Sequence, residues 1–318
     1  MRRLTPLRAA IALFIVLALV PSVALALHQP YYLTFLSRVM IFGLAALSLN
    51  LILGFGGMTS LGHSAFLGVG AYTVGLLIQG GVTNGFAHFG AAIAFGAVAA
   101  LVIGAVCLRT GGLSFIMLTL ASAQLLFFIA TGLKQYGGDD GFSFRGRSDF
   151  GAWLPLGDDA TLYWFILGWL ALATLIVHRT VHSRFGLALR GIRSNETRIA
   201  SIGLHAYRYK LAAFVLSGTI CAVAGALLAN LAQFVSPSYM HWARSAELLL
   251  MVLLGGMGSV LGPLAGAAAF MFLEEGLGLV TPHWPLLMGA VLIVVVLYAR
   301  NGLAELAGRF MRTARSTR

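Results

Sequence analysis

The chain has 318 residues, of which 59% are hydrophobic and only 10% are charged. A soluble protein carries roughly 25% charged residues, and a single core cannot bury this much apolar surface beneath a polar exterior. Lipid must solvate the remainder, so the composition predicts a membrane protein that crosses the bilayer several times. The only cysteines, Cys107 and Cys221, lie within apolar runs, which excludes a disulfide scaffold.

The net charge is +11, from 21 Lys and Arg against 10 Asp and Glu. These bases lie in loops and tails between apolar runs, a distribution that is typical of cytoplasmic loops and that gives no reason to expect a nucleic-acid partner. Neither of the two lysines, Lys134 and Lys210, follows a glycine, so the sequence contains no GxxxxGK[ST] phosphate-binding loop. The chain is therefore not its own P-loop ATPase.

Spanning helices need about 20 mostly apolar residues. Apolar runs predict such helices at 9–27, 33–53, 62–79, 90–108, 113–132, 161–178, 211–232 and 285–299, with a longer apolar region at 246–280. The first run fits either a signal peptide cleaved within residues 1–26 or a retained helix. We favour the retained helix, because a protein with several spans can use its first one as the signal.

Basic residues predict the orientation of the chain. The segment 179–210 carries seven bases against one acid, and the tail 300–318 carries five bases against one acid. Both are expected in the cytoplasm, together with the N-terminus, which begins with three arginines in its first eight residues. The loop 133–160 holds five of the ten acids and is expected in the periplasm.

An even number of crossings must join the segment 179–210 to the tail 300–318. The region 246–280 must then cross twice or enter and return, and its glycines at 255, 256 and 258 and Gly262-Pro263 predict a break. The result is an all-α fold of about ten transmembrane helices, some short or re-entrant, in one domain covering 1–318. A single span there would put the basic tail outside, and it is disfavoured. A similar Gly-Gly-Met sequence at 56–60 is interpreted either as a diverged repeat or as coincidence.

Ion-coupled carriers usually place an ionisable residue inside the membrane. The first 138 residues contain no Asp or Glu, and we expect Glu274 and Glu275 to be in contact with water rather than at mid-membrane. The pair Asp139-Asp140 lacks the alternating pattern of a calcium loop, and Gly62-His63-Ser64 lacks the second glycine of a hydrolase elbow. The sequence therefore predicts no catalytic residue, metal or cofactor.

Uncharged polar residues lie within or beside the apolar segments. Five of them are candidates for lining a solute path: Asn50, Ser60, His63, Ser64 and Thr119. The alternative is that they join helices by hydrogen bonds, as Ser, Thr and Asn commonly do in membranes, and that His63 bonds a neighbouring carbonyl at a helix start. We favour this packing role for most of the set. The pattern Ser217-x-x-x-Cys221-x-x-x-Gly225 also predicts a packing face.

Several motifs, in order, resemble the LivM/LivH permease family, the membrane subunits of branched-chain amino acid ABC importers. The resemblance spans residues 48–267 and is closer to LivM in its acidic Gly-Gly loop and its Arg-rich loop. The motifs that carry it are Ser48-Leu49-Asn50-Leu51, Gly56-Gly57, Ser60-Leu61-Gly62-His63-Ser64-Ala65-Phe66, Gly70-Ala71-Tyr72, Ser183-Arg184-Phe185-Gly186, Tyr209-Lys210-Leu211 and Gly255-Gly256-x-Gly258-Ser259-x-x-Gly262-Pro263.

The resemblance implies a permease like those of type II ABC importers, in the bacterial cytoplasmic (inner) membrane. It implies a second, LivH-like permease subunit, two ABC ATPase subunits and a periplasmic substrate-binding protein as partners, besides membrane lipid. Leucine, isoleucine and valine are the expected substrates, and urea, short amides or other amino acids are alternatives within the family. An ion-coupled secondary carrier or a channel is the alternative outside it.

The segment 179–210 is also the expected docking site for an ATPase. The spacing of Ile192, Ile199 and Ile202 predicts one apolar helical face, and Gly186 and Gly203 predict turns at its ends. The alternative is a basic loop that lies on anionic lipid. The segment departs from the permease motif Glu-Ala-Ala-x-x-x-Gly, because Gly203 comes one residue late. The residues predicted to couple transport to ATP hydrolysis are Arg184, Arg190, Arg193, Glu196, Ile199, Ile202 and Gly203.

Overall fold

The structure is a computed structural model, and it describes residues 13–18, 21, 30–151, 156–281, 283, 285–290 and 293. The predicted first helix at 9–27, with its possible cleavage site, and the predicted last span at 285–299 lie largely outside these residues. The basic tail 300–318 lies wholly outside them.

The described residues are mainly helical. The helices are α1 (Pro30–Asn50), which continues into a π-helical turn (Leu51–Phe55), α2 (His63–Gln79), α3 (Gly85–Cys107), α4 (Gly112–Gly132), α5 (Asp159–His182), α6 (Arg184–Ser194), α7 (Glu196–Ser201), α8 (Ala206–Ala232), α9 (Trp242–Gly255) and α10 (Gly262–Val280). Five described helices are long and apolar enough to cross a membrane: α1 with its π-helical turn, α3, α4, α5 and α8. These helices correspond to five of the predicted spans, with boundaries shifted by a few residues.

The most apolar segments of these five helices differ in burial. The segment of α1 is 89% buried and that of α8 is 72% buried, whereas those of α3 and α4 are only 28% and 22% buried. A spanning helix whose apolar side chains are not covered by the rest of the chain must face lipid or another subunit, since the hydrocarbon core of a bilayer contains no water. The helices α1 and α8 therefore form the core, and α3 and α4 lie at its periphery.

Small residues allow α2 and α8 to cross closely. A Cβ atom on Gly70 would lie 1.8 Å from the carbonyl oxygen of Ala222, and one on Gly225 would lie 1.8 Å from that of Leu67. Backbone approach at small residues is a common way for helices to associate in membranes. The predicted packing face is therefore confirmed, because Ser217, Cys221 and Gly225 are all buried.

Two helices are interrupted rather than continuous. The predicted break within 246–280 is confirmed, because α9 ends at Gly255 and α10 begins at Gly262. With 14 residues, α9 is about 21 Å long, which is shorter than the hydrocarbon core of about 30 Å. Earlier in the chain, the π-helical turn is separated from α2, which begins at His63. In chain order, the break between the π-helical turn and α2 is called the first interruption, and the break between α9 and α10 is called the second.

The acidic loop lies against one end of the helices. Its strand β1 (Phe142–Ser143) pairs antiparallel with β2 (Phe234–Val235), which follows α8. The backbone N–H of Ser148 donates to Asn230 Oδ1 over 2.8 Å, near the end of α8. At the start of α8, Tyr207 Oη donates over 3.1 Å to the carbonyl of Ala105, near the end of α3. The acidic loop and the basic segment are therefore at opposite ends of α8.

Glu274 and Glu275 lie within the last two turns of α10, beside the first turns of α1. Glu274 is 3.8 Å from the guanidinium of Arg38, and its side chain is 21% exposed. Tyr31 donates a hydrogen bond from its hydroxyl to Glu275. Both carboxylates thus have a partner and are partly exposed.

Gly225→Ala is expected to destabilise the protein by about 1–3 kcal/mol, because the new methyl group must displace a backbone carbonyl in the core. Gly168→Ala is the matched control, since a Cβ atom there meets nothing within 4 Å. Thermal unfolding of both variants in detergent measures the difference. Equal unfolding midpoints for the two variants would contradict the close crossing of α2 and α8.

Candidate functional site

The candidate site lies where the two interrupted helices meet. The π-helical turn is fully buried and ends at a glycine turn, in which Gly57 has φ of 69°. The backbone N–H of Gly57 donates to Leu53 over 3.1 Å, and that of Met58 donates to Ile52 over 2.9 Å. A left-handed glycine and returning backbone bonds are a common way to end a helix, and here they satisfy two carbonyls of the last turn.

Asn50 joins the first interruption to the second. Its side-chain amide donates to the carbonyl of Ser259 over 2.8 Å, and its amide oxygen accepts from the N–H of Gly258 over 3.2 Å. A Cβ atom on Gly54 would lie 2.1 Å from Asn50 Oδ1 and 2.6 Å from the nitrogen of Gly258, so this contact requires glycine. The two similar glycine-rich sequences are therefore neighbours in space.

The residues just before α2 are fixed to α4. The backbone N–H of Leu61 donates to Thr119 Oγ1 over 3.3 Å, and a Cβ atom on Gly62 would lie 2.2 Å from the carbonyl oxygen of Thr119. Ser60 accepts a hydrogen bond of 3.3 Å from the N–H of Gly62. These contacts supply partners to backbone groups that have none within a helix.

His63 connects three helices at the first residue of α2. Its Nε2 is 3.1 Å from the hydroxyls of both Ser48 on α1 and Ser217 on α8. Each hydroxyl donates its own proton to a carbonyl, that of Ala45 for Ser48 and that of Ser48 for Ser217. Nε2 must then carry the ring proton and donate it. Nδ1 is left as a buried acceptor with no partner among the described residues.

Ser64 extends this network to α9. Its backbone N–H donates to Ser245 Oγ over 2.9 Å, and the Ser245 hydroxyl donates to Ser64 Oγ over 2.7 Å. The Ser64 hydroxyl in turn is 3.2 Å from the carbonyls of Met240 and His241. The start of α2 is thereby fixed to the start of α9.

All five predicted path residues are completely buried, and each makes a hydrogen bond within the chain. Hydrogen bonds to distant segments, as in the packing alternative, are made by Asn50, His63, Ser64 and Thr119, whereas Ser60 bonds only to the nearby Gly62. His63 bonds two hydroxyls rather than a neighbouring carbonyl. A path along them stays a prediction. The sequence analysis missed Ser48 and Ser245 and treated Ser217 only as a packing residue, because nothing local in the sequence shows that helices so far apart in the chain meet at His63.

The basic segment forms two helices rather than one. Asn195 ends α6 and caps α7, accepting from the N–H of Arg198 over 2.9 Å. The predicted continuous apolar face is therefore wrong: Ile192 is 3% exposed, whereas Ile202 is 67% exposed. The extended backbone at Asn195 interrupts the helical spacing and turns the later residues away.

The two glycines of this segment also differ. Gly203 has φ of 84° and forms the predicted turn. Gly186 lies inside α6 and forms no turn; a Cβ atom there would be 2.2 Å from the carbonyl oxygen of Val181, so it permits close packing on α5. That prediction for Gly186 is wrong.

The predicted charged residues of the segment have different surroundings. Glu196 forms an ion pair with Lys210. Arg184 and Arg190 are exposed, together with Leu187 and Arg198. Arg193 is also exposed, and its side chain donates a hydrogen bond to the carbonyl of Gly54 in the π-helical turn. An open cavity of about 370 Å³ lies beside the segment and is lined by Phe185, Gly203, Leu204, His205, Arg208 and Tyr209.

Long apolar helices, some of them exposed along most of their length, indicate a multi-pass membrane protein. Residues 31–297 match the family described as the branched-chain amino acid transport system / permease component. The match covers most of the chain, and the chain belongs to this family. It is therefore a transport subunit and an inner-membrane protein rather than an enzyme of the membrane.

Curated relatives agree with this assignment. The chain is 26% identical to the high-affinity branched-chain amino acid transport system permease protein LivM of Salmonella typhimurium, over 84% of this chain and 68% of that protein. LivM of Escherichia coli is also 26% identical, over 83% of this chain and 68% of that protein. The ribose import permease protein RbsC of Escherichia coli is 27% identical, over 70% and 71% of the two chains.

One solved structure, PsaBC from Streptococcus pneumoniae in complex with Fab, has 17% identity and a TM-score of 0.35. The match covers 75% of this chain and 88% of that chain. This similarity is too low to define a shared fold.

Thr119→Val is expected to destabilise the protein by about 1–2 kcal/mol, because the N–H of Leu61 loses its acceptor at a buried position. Thr131→Val is the matched control, since both threonines are on α4 and both donate to a carbonyl three residues earlier, over 2.9 Å and 3.0 Å. Thermal unfolding in detergent compares them. A midpoint for Thr119→Val equal to that of Thr131→Val would contradict a structural role for this contact.

Proposed function

We propose that the chain is the membrane-spanning permease subunit of an ATP-driven importer of branched-chain amino acids. The family match over residues 31–297 is the observation that carries this proposal. It is supported by the absence of a phosphate-binding loop from the sequence, since ATP hydrolysis must then take place on other subunits. The implied partners are a second, LivH-like permease subunit, two ABC ATPase subunits and a periplasmic substrate-binding protein.

The proposed topology has about ten transmembrane helices with both termini in the cytoplasm, in one domain that covers 1–318. The position of the acidic and basic segments at opposite ends of α8 supports it. The positive-inside rule then assigns the end with the basic segment to the cytoplasm, and it assigns the loop 133–160 to the periplasm. In this topology α9 and α10 cross twice or enter and return, and the break between them supports this arrangement.

The proposed docking surface for an ATPase consists of Arg184, Leu187, Arg190, Arg198 and Ile202. All five side chains are exposed. Leu187 is 62% exposed and Ile202 is 67% exposed. Arg184 and Arg190 lie three residues before and after Leu187, and Arg198 lies four residues before Ile202. Exposed apolar residues with a basic rim suit an acidic protein partner with an apolar centre. A surface that only touched lipid headgroups would need the arginines but no particular apolar contact.

The alternative of an ion-coupled carrier needs carboxylates that bind and release an ion during transport. Glu274 and Glu275 are the candidates nearest to the membrane interior. Their contacts with Arg38 and Tyr31 at the ends of two helices support a structural role for both. Within the family, urea, a short amide or another amino acid is the alternative substrate.

The first test is uptake of labelled leucine by proteoliposomes that contain the permease with its ATPase, second permease and binding-protein partners. Uptake is expected to require ATP, and Glu274→Gln with Glu275→Gln is expected to retain at least about half of it, since neither carboxylate carries a coupling ion. Uptake driven by an ion gradient without ATP would contradict the importer. Loss of uptake by the double variant, with normal assembly, would favour the carrier.

The second test concerns docking. Ile202→Asp with Leu187→Asp is expected to reduce co-purification of the ATPase at least roughly tenfold, because two charges replace the apolar centre of the contact. Ile202→Leu with Leu187→Ile is the matched control and is expected to retain binding. Unchanged co-purification of the ATPase with the Asp variant would show that the segment only lies on the membrane surface.

A further inference from the structure

Arg193 differs from the other arginines of α6, because its side chain contacts the membrane-embedded core. Its Nη1 donates to the carbonyl of Gly54. The side chain of Asn50 packs closely against the same glycine. Its aliphatic part covers Gly57, where a Cβ atom would lie 2.7 Å from Arg193 Cγ. The residue therefore reaches both the last π-helical turn and the glycine turn that follows.

The carbonyl of Gly54 is a suitable acceptor for a cation. The backbone N–H groups that close this helix end go to Leu53 and Ile52, so neither uses Gly54. The C-terminal end of a helix also carries a partial negative charge, and a guanidinium at this point is stabilised by it. Arg193 thus satisfies a carbonyl that the interruption leaves open.

Gly54 also packs against the second interruption, between α9 and α10. Gly258 lies so close that a Cβ atom on Gly54 would be 2.6 Å from its nitrogen. Asn50 holds Gly258 and Ser259 by two hydrogen bonds. A displacement of Gly54 must therefore move Asn50 and the second interruption, or break these bonds.

The other side of α6 is packed firmly on the domain. Leu189 is completely buried and Ile192 is 3% exposed, so α6 cannot slide without moving its neighbours. Its outer side presents Arg184 and Arg190 to solvent, where an ATPase would press on it. From α6, the side chain of Arg193 forms a hydrogen bond to the π-helical turn.

We propose that Arg193 is a positioning residue, which passes movement of α6 to the two interruptions through Gly54 and so couples ATP hydrolysis to the opening of the path. This inference rests on the proposed function, because it needs an ATPase at the docking surface. It assigns Arg193, although the residue is exposed, a contact with Gly54 within the chain.

The test uses the complete importer in proteoliposomes and compares Arg193→Met with Arg193→Lys. Met retains an aliphatic chain over Gly57 but has no donor, whereas Lys retains a donor and the charge. Leucine transported per ATP hydrolysed is expected to fall roughly fivefold in Arg193→Met, within the range found when coupling contacts are removed, and to be partly restored in Arg193→Lys. Arg109→Met, in the exposed connection between α3 and α4, is the control.

A second measurement follows the accessibility of the second interruption, between α9 and α10. Met257 is 49% exposed, and the native Cys107 and Cys221 are buried, so Met257→Cys provides one accessible thiol among the described residues. Its rate of maleimide labelling is expected to change when ATP binds. That change is expected to disappear in Arg193→Met and to persist in Arg109→Met, which a purely stabilising role for Arg193 does not predict.

The outcomes separate this inference from the proposed function. Wild-type vesicles without ATP-driven uptake would overturn both. Wild-type uptake together with a normal transport ratio and normal labelling in Arg193→Met would overturn only the role of Arg193. Loss of ATPase co-purification in Arg193→Met would place Arg193 at the docking surface and would also overturn the inference.

Discussion

Backbone polar groups inside a membrane must find partners within the protein, and this constraint explains the arrangement of the core. Each interrupted helix ends with carbonyls and begins with N–H groups that have no partner inside the helix. The structure supplies them from Asn50, Thr119, Ser259 and Arg193. The interruptions are therefore possible only where other segments of the same chain bring polar groups to them.

The same requirement joins distant parts of the chain. Asn50 bonds to residues more than 200 positions later, and His63 bonds to Ser217 across 154 positions. A buried polar group that loses its partner costs about 1–3 kcal/mol, so these bonds specify which segments meet. A network that must stay satisfied also moves as a unit, which is the physical basis for coupling an outer helix to the inner interruptions.

The buried polar residues in the described part of the chain are Ser, Thr, Asn and His, with no carboxylate among them. The described core contains Ser, Thr, Asn and a histidine that donates from Nε2, whereas Glu274 and Glu275 lie near helix ends with partners of their own. Neutral groups bind an amphipathic solute weakly and release it easily. Such a core suits a transporter in which a separate subunit supplies the energy.

The sequence by itself determined the membrane class, five helices that can span, the break after Gly255 and the permease family. These features depend on local composition, on glycine and proline, and on the order of motifs, all of which can be read along one chain. Only the tertiary structure decided that the predicted path residues are buried and hydrogen-bonded to other groups of the chain, that Asn195 divides the basic segment, and that Arg193 bonds to Gly54. These outcomes depend on contacts between residues far apart in sequence, for which hydrophobic periodicity carries no signal.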